Sequence, residues 1–266
     1  SSHNSLAHRT TWLRSDLSTY LEDCINSVLN QSVKTNVVIA TSTPNEFINQ
    51  MAEKYNLKVI INKGQKGIAY DFNFAVNCVD SELVTVAHQD DIYEKDYAKE
   101  IIDAYKKNKN ASIIFTDYFE LRGSDKVLNN KNLKIKRILL LPLRIKTLGK
   151  YKFFRRWVLR FGNSICCPAV TFVKKNSIKD VFICDFKCNV DWYTWEKLSK
   201  APHDFIFIPK PLMEHRISES STTTDIINHG IRTKEDLIMF KKFWPTWFAK
   251  GINNFYKNSE KSNNLK

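Results

Sequence analysis

The sequence predicts an α/β protein, a doubly wound and mostly parallel sheet flanked by helices. Short β-type runs alternate with amphipathic helical stretches from about residue 19 to residue 117, the pattern of parallel strands joined by crossover helices. The apolar run Leu83-Val84-Thr85-Val86-Ala87 then stops abruptly at His88-Gln89-Asp90-Asp91. That places carboxylates at the carboxyl edge of a sheet, where open α/β sheets bind ligands. Two adjacent carboxylates there repel each other and lose hydration unless a cation or hydrogen-bond donors compensate. A hard divalent ion bridging to a diphosphate supplies such compensation. The alternative reading is that these acids cap a helix starting near Glu94.

The elements follow in order. Thr19 to Asn30 reads as a helix, with Thr19 and Glu22 as a capping box and Leu21, Cys24, Ile25, Val28 and Leu29 on one face. Val37 to Ala40 is a short buried strand, after which Thr43-Pro44-Asn45-Glu46 opens a helix with a capping box and proline at the first helical position. Val59 to Ile61 is a strand, Ile68 to Val79 a helix, Leu83 to Ala87 a strand, Tyr97 to Tyr105 a helix and Ser112 to Phe115 a strand. The opening 18 residues contain no continuous apolar run. They predict either a poor first strand or a sheet lacking its usual first member. Asn258 to Lys266 is a polar tail expected to fray.

At 266 residues, with 43% hydrophobic and 12% aromatic residues, the chain fits one large domain with ample core. No apolar run is long enough to span a bilayer and no signal-peptide pattern opens the sequence. Its first residue is Ser rather than Met, which fits a natural start that is missing or replaced. The six cysteines lack zinc-finger spacing and read as reduced, mostly buried thiols, with Cys184, Cys188 and His203 a less specific metal candidate.

The net charge of +13 implies a polyanionic neighbour. Much of it lies in one band: from Lys131 to Arg160 there are eleven lysines and arginines and no acid. Leucines, isoleucines, Phe153, Phe154 and Trp157 are interleaved with them. Cation-rich amphipathic segments suit the headgroup layer of an anionic membrane. Lys136, Arg137, Arg155 and Arg156 are the expected contacts with such a membrane or with an acceptor, joined by Trp244 and Trp247 of the similar stretch Phe240 to Lys250. The alternative is a solvated helix pair packed on the core. Nucleic acid would also be attracted, but no recognition motif accompanies the charge, so it is not an expected partner.

The ordered motifs resemble those of the family 2 glycosyltransferases, and more narrowly a bacterial branch associated with surface polysaccharide. Tyr20 to Gln31 resembles the family's first helix, Gly67 to Asn73 its glycine-to-asparagine segment, and His88-Gln89-Asp90-Asp91 a variant of its Asp-x-Asp signature. Gly162 to Pro168, Asn189-Val190-Asp191-Trp192 and His215-Arg216-Ile217-Ser218 follow in the expected order.

The resemblance implies a GT-A fold and inverting transfer of a sugar from a nucleoside diphosphate, with uridine the favoured base, to an acceptor hydroxyl. Carried over by position, Asp90 contacts a manganese or magnesium ion (Mn2+ or Mg2+), Asp91 supports that site, and His88 replaces the first acid of the signature. Asp71 lies near the nucleotide or sugar and Asn73 near the diphosphate, while His215 and Arg216 reach the diphosphate from a loop continuing through Ser218. Asp191 matches the general base, which the chemistry requires because a hydroxyl must lose its proton as it attacks. A helix cap is the plainer reading of Asp191, and a solvated loop that of His215 and Arg216. The second strand ends Ala40-Thr41-Ser42-Thr43, where many relatives carry acids that hold the base or ribose.

The implied organisation is an atypical segment 1–18, a nucleotide-sugar-binding half 19–130, a basic amphipathic segment 131–160, an acceptor half with a C-terminal helix 161–257, and a tail 258–266. Implied partners are a nucleoside-diphosphate sugar, a glycan or lipid-linked acceptor and an anionic membrane surface, with the protein cytoplasmic on the inner face of the plasma membrane. A degenerate relative that binds a partner, lipid or glycan without turnover is the alternative, favoured by the odd opening and the missing acids.

Overall fold

The computed structural model describes residues 6–11, 18–177, 179–183, 185–217 and 219–263. In chain order the main elements are β1 (Leu6–Thr11), α1 (Ser18–Leu29), β2 (Asn36–Thr41), α2 (Glu46–Lys54), β3 (Lys58–Ile61), α3 (Ile68–Asn77), β4 (Leu83–His88) and β5 (Ile92–Tyr93). They continue as α4 (Tyr97–Lys107), β6 (Ala111–Arg122), β7 (Asp125–Val127), α5 (Lys131–Leu139), α6 (Lys152–Trp157), β8 (Val170–Val173), α7 (Val190–Lys200), β9 (Asp204–Arg216), α8 (Glu219–Lys241) and α9 (Thr246–Asn263).

One sheet runs β3-β2-β1-β4-β8-β6-β9-β5, with β7 attached to β6. Strands β1 to β4 are mutually parallel where they pair, and β6 is parallel to β9. Strand β8 is antiparallel to both β4 and β6, and so joins the parallel half to the mixed half. The period-2 alternation of β6 separates two cores: Ile113 and Phe115 face α3, α7 and α8, while Ile114 faces α1 and α4. Helices therefore cover both faces.

The opening segment differs from expectation. Leu6–Thr11 is a strand at the centre of the parallel half, in register from Ala7↔Asn36 to Thr10↔Ile39 on one side and from Leu6↔Leu83 to Thr11↔His88 on the other. Pairing on both edges satisfies its backbone whatever its side-chain pattern, and strand formation depends on such context. Two helix starts also differ. The N-cap of α2 is Asn45, whose side chain accepts from the Ile48 amide, so Pro44 precedes the cap. Glu22, read as half of a capping box, instead accepts from Lys54 Nζ and Tyr55 OH, each at 2.6 Å. Helix α9 carries regular structure through Asn263, into the stretch expected to fray.

The basic segment forms α5, α6 and two short 3-10 turns at Leu141–Arg144 and Leu148–Lys150. Most of its expected membrane contacts are turned inward. Arg155 is 3% exposed and donates to the carbonyls of Ser199 (3.1 Å), Gly149 (3.2 Å), Lys150 (2.6 Å) and Ala201 (2.7 Å). Two of those carbonyls close the carboxyl end of α7, where helices leave acceptors unsatisfied. Arg156 pairs with Glu196 at 2.6 Å, Arg137 with Asp117 at 2.7 Å, and Lys136 donates to the Tyr118 hydroxyl at 2.9 Å. Trp244 donates to the Arg160 carbonyl at 2.8 Å and its ring lies beneath that guanidinium. Of the named contacts, Trp247 is fully presented to solvent, 75% exposed. A count of cations does not distinguish those facing phosphate from those facing carbonyl oxygens, and here burial of the apolar side carried several cations in with it. Arg155→Leu is expected to lower stability by about 3 kcal/mol or more, because buried carbonyls lose their donors; urea unfolding measures it.

Candidate active site

The acidic end of β4 is neutralised by residues far along the chain. Antiparallel pairing of β5 with β9, Ile92↔Glu214 and Tyr93↔Met213, brings His215 and Arg216 against it. Asp91 is wholly buried, and its Oδ1 accepts from the His215 ring Nδ1 (3.0 Å) and the Arg216 amide (2.9 Å). The Arg216 guanidinium donates to the Asp90 carbonyl at 2.9 Å, stands 3.6 Å from Asp23 and lies 4.0 Å over the Tyr20 ring. Its charge thus holds the acidic turn in shape and is not presented as a free phosphate ligand. His88 stacks on Phe72 at 5.2 Å between ring centres, and its carbonyl accepts from the Cys24 thiol.

Among the buried atoms of the described residues that lack a hydrogen-bond partner are Asp91 Oδ2, which stands 3.8 Å from His88 Nδ1, and His88 Nε2. Donor atoms of His88, Asp90 and Asp91 lie within 4.8 Å of one another. Burial pushes the Asp90 carboxyl above its ordinary range, and the neighbouring Asp91 charge pushes the same way. At His215 burial disfavours charge, but the Asp91 carboxylate outweighs it and leaves the imidazole pKa raised. A buried carboxylate oxygen without a donor, beside a second acid and an imidazole, is a donor set that fits a hard divalent cation.

Asp191 sits in the first turn of α7, and packing of Trp192 and Trp195 into the core fixes that helix. The Asp191 Oδ1 accepts from the Trp192 amide at 2.8 Å and Oδ2 from Asn163 Nδ2 at 2.5 Å. Asp191 thus satisfies a first-turn amide of α7, whose N-cap is Asn189. Burial pushes the Asp191 carboxyl up, opposed by the Trp192 amide, Asn163, Lys136 and Arg232. Asn163→Ala removes one of the opposing groups. The acid limb of any activity that needs ionised Asp191 is then expected to move to higher pH, as a pH profile of kcat/KM would record.

A cleft of about 960 Å³ is lined by His88, Lys136, Asn163, Asp191, Arg232 and His215 among others. It brings the end of β4 and the start of α7 together across a hundred residues of sequence. Asp71 and Asn73 are not in that lining. Asp71 accepts from Asn62 Nδ2 (2.8 Å) and the Gly67 amide (3.2 Å), shaping the turn into α3. Asn73 donates to and accepts from the Phe182 backbone, at 2.8 and 2.9 Å, which ties α3 to the chain ahead of α7. Ser218 and Cys184 lie outside the described residues, and so therefore does the Cys184, Cys188 and His203 metal set. The cysteines at 24, 78, 166, 167 and 188 form no disulfide.

Lys136, named from the sequence for a membrane or acceptor surface, lines the cleft. Sequence reasoning missed three contributors. Asn163, quoted only within a motif, holds Asp191. Glu235 accepts from the amides of Lys187, Cys188 and Asn189 at 2.8 to 2.9 Å, and Asp236 accepts from Asn189 Nδ2 at 2.7 Å. The loop that leads into Asp191 is thus fastened to α8. The adjacent acids Glu235-Asp236 were visible in the sequence, but only tertiary structure shows what they hold.

A parallel half-sheet with an acidic end on β4, joined through β8 to a mixed half, with His88 and Asp191 on one cleft, is a GT-A-like architecture. A family model described as Glycosyl transferase family 2 matches residues 14–182, and the chain belongs to that family. No curated protein sequence matches it.

Among solved structures, S. aureus TarS 1-349 is similar at 14% identity and a TM-score of 0.58, covering 94% of this chain and 69% of that one. The TarS complex with UDP-GlcNAc gives 15% and 0.58 over 81% of this chain and 59% of that one. The mannosyltransferase PcManGT from Pyrobaculum calidifontis, in complex with GDP-Man and Mn2+, gives 13% and 0.59 over 93% and 69%. At such identities the likeness establishes the shared fold. The chain spans 42% of the longer S. aureus TarS structure.

Proposed function

We propose that this protein is an inverting, metal-dependent glycosyltransferase that moves a sugar from a nucleoside-diphosphate donor, UDP-linked by preference, to an acceptor hydroxyl. The observation that carries the reading is the single cleft shared by Asp191, His88 and His215, beside the acids Asp90 and Asp91. Similarity in fold to TarS bound to UDP-GlcNAc supports the donor class.

In this reading Asp191 takes the acceptor proton as the hydroxyl oxygen attacks the anomeric carbon on the face opposite the diphosphate. The bond from that carbon to the diphosphate oxygen breaks as the new one forms, which inverts the centre and needs no covalent enzyme intermediate. His88, Asp90 and Asp91 would hold Mn2+ or Mg2+, which when bound neutralises charge on the departing diphosphate. His215, its pKa raised by Asp91, brings positive charge to the same end of the cleft. Asp71 and Asn73 shape the donor side by holding loops, and Arg216 does so by holding the Asp90 backbone.

The pH dependence follows from Asp191. Its ionised form is required, so activity rises with pH through a carboxyl pKa above the ordinary 3.8. The Asp91 carboxylate raises the His215 pKa above the ordinary 6.5 in the metal-free protein, and a divalent cation on Asp90 and Asp91 would oppose that rise.

The outer face of the basic segment still presents Ile138, Leu141, Ile145 and Phe153, with Lys134, Arg144, Lys146 and Lys152 exposed around them. Apolar side chains rimmed by cations support peripheral contact with an anionic membrane, consistent with a cytoplasmic enzyme on the inner face of the plasma membrane. Among the described residues no helix is long and apolar enough to cross a membrane.

A thermal-shift panel of UDP-GlcNAc, other UDP-sugars and GDP-mannose, each with and without Mn2+, tests the reading. A specific donor must raise the melting temperature in a metal-dependent way, and a flat panel would remove the proposal.

A further inference from the structure

Helix α6 runs out into an irregular stretch, 158–163, that ends on Asn163, whose side chain holds Asp191. Chain leaving a helix carries carbonyls with no intrahelical donor, and buried ones must find partners elsewhere. Here four in succession are met by side chains. The Val158 carbonyl accepts from the Ser164 hydroxyl at 2.7 Å and that of Leu159 from the Trp192 indole at 3.0 Å. The Arg160 carbonyl accepts from the Trp244 indole at 2.8 Å, and that of Phe161 from the Tyr256 hydroxyl. Three of these donors arrive from α7, from the link between α8 and α9, and from α9 itself.

Gly162 follows at a φ of +140°, a backbone conformation that favours glycine, and a Cβ there would run into the Tyr256 hydroxyl. The turn and the α9 side chain are therefore built against each other. Next comes Asn163, whose Nδ2 donates to Asp191 Oδ2. A second line of contact leads to the other carboxylate oxygen. The Tyr256 ring packs edge-on against Phe240, 5.4 Å between centres, and Phe240 against Trp192 at 5.2 Å. The Trp192 amide then donates to Asp191 Oδ1. Both hydrogen bonds that hold the carboxylate thus trace back to one tyrosine. A phenylalanine would serve the ring contacts equally well, and only the Phe161 carbonyl needs the hydroxyl.

We propose that Tyr256 is a positioning residue for Asp191: from α9 its hydroxyl fixes the 158–163 turn, and the turn fixes the Asn163 amide on the carboxylate. Helix α9 is then a working part of the site and not only a cover for the core. The proposal rests on the reading of Asp191 as the base. The titratable groups that act on Asp191 or lie near it are Lys136 of α5, Arg232 of α8 and the Cys166 and Cys167 thiols ahead of β8. The variants below alter none of them.

The test reads Asp191 directly, by carbon NMR titration of the aspartate carboxyls in the full chain, its signal identified by loss in Asp191→Asn. Donors to an ionised carboxylate hold its pKa down, so a loosened Asn163 amide moves the midpoint to higher pH. Tyr256→Phe is expected to produce that upward move. Asn163→Ala, which deletes the amide, is expected to move the midpoint further. Adding Tyr256→Phe to Asn163→Ala is expected to move it no more, since residues that act through one contact are not additive. Trp244→Phe, which strips the Arg160 carbonyl of its donor, is expected to raise the midpoint likewise. Asn253→Ala, which cuts the 3.3 Å bond from α9 to the Thr233 carbonyl of α8, is expected to leave it in place. Turnover of UDP-GlcNAc with Mn2+ is expected to fall in kcat by up to about 100-fold in Tyr256→Phe, the scale of a small misplacement away from the chemistry, with KM for the donor unchanged.

An unmoved midpoint in Tyr256→Phe, or in Trp244→Phe should the first variant fold poorly, overturns the proposal. A shift that adds in full to that of Asn163→Ala also overturns it, because the hydroxyl then acts by another route. So does an equal shift in Asn253→Ala, since loosening α9 anywhere would then suffice. Unmoved midpoints beside an intact Mn2+-dependent shift with UDP-GlcNAc remove this inference alone. The expected midpoints beside a flat donor panel uphold the hold of Tyr256 on Asp191 and remove the transferase reading.

Discussion

Asp191→Asn is expected to reduce sugar transfer by about 10²–10⁴-fold, the range general-base catalysis supplies, while the variant melts at a higher temperature than the unmutated protein. The two effects share one cause. Asp191 is buried, and burial holds its pKa above the unfolded value despite the Trp192 amide and Asn163. A carboxyl whose folded pKa exceeds its unfolded one binds protons better when folded, so its ionised form weakens the fold. That deficit is complete above the folded pKa and is relieved as pH falls through it towards the unfolded value. Asparagine keeps the shape and never ionises, which removes the deficit together with the base. Transfer assayed beside thermal melts at neutral pH measures both. Full activity in the variant would end the assignment of Asp191, and a lower melting temperature would mean its hydrogen bonds to Trp192 and Asn163 outweigh the burial of charge.

Asp90→Ala is expected to abolish the Mn2+-dependent part of the donor thermal shift, leaving the protein folded. The side chain of Asp90 is raised in pKa by burial and by Asp91, the signature of an anion short of positive charge. Structural support at this turn runs through its backbone carbonyl, which Arg216 holds at 2.9 Å, and alanine keeps that contact. Loss of even an outer-shell partner costs a metal site about 10- to 100-fold in affinity, so removal of a carboxylate ligand should cost at least as much. Asp91→Ala differs in kind: it strips the buried acceptor from His215 and the Arg216 amide and is expected to destabilise the fold by about 3–5 kcal/mol. Metal titration followed by thermal shift separates the two variants. An undiminished Mn2+ response in Asp90→Ala would show that the cation sits elsewhere.

Much of the fold was legible because periodicity reports burial. The apolar stretch of β4 and the acids at its end stood out since a buried strand cannot carry carboxylates past the sheet edge without compensation. The strand Leu6–Thr11 was not legible, because its place depends on ladder partners on both sides and not on an apolar run. Charge misled for a related reason. Arg155 and Arg156 read as a surface band, yet one satisfies the end of α7 and the other neutralises Glu196. At the site, His88, His215 and Asp191 were named from sequence and line one cleft, and the named acids Asp90 and Asp91 follow His88 in the chain. The supports that hold them, Asn163, Glu235 and Asp236, gain meaning only from distances that no local pattern encodes.

The partners of Asp91 are 124 and 125 positions downstream of it. During synthesis the acids at 90 and 91 therefore leave the ribosome long before the imidazole and amide that quiet their repulsion exist. The nascent amino-terminal half carries an unsettled negative turn until β9 arrives, so the sheet and its reactive end are completed in the same late event. A chain stopped short of residue 215 would lack the means to settle that turn, which ties its completion to translation through β9.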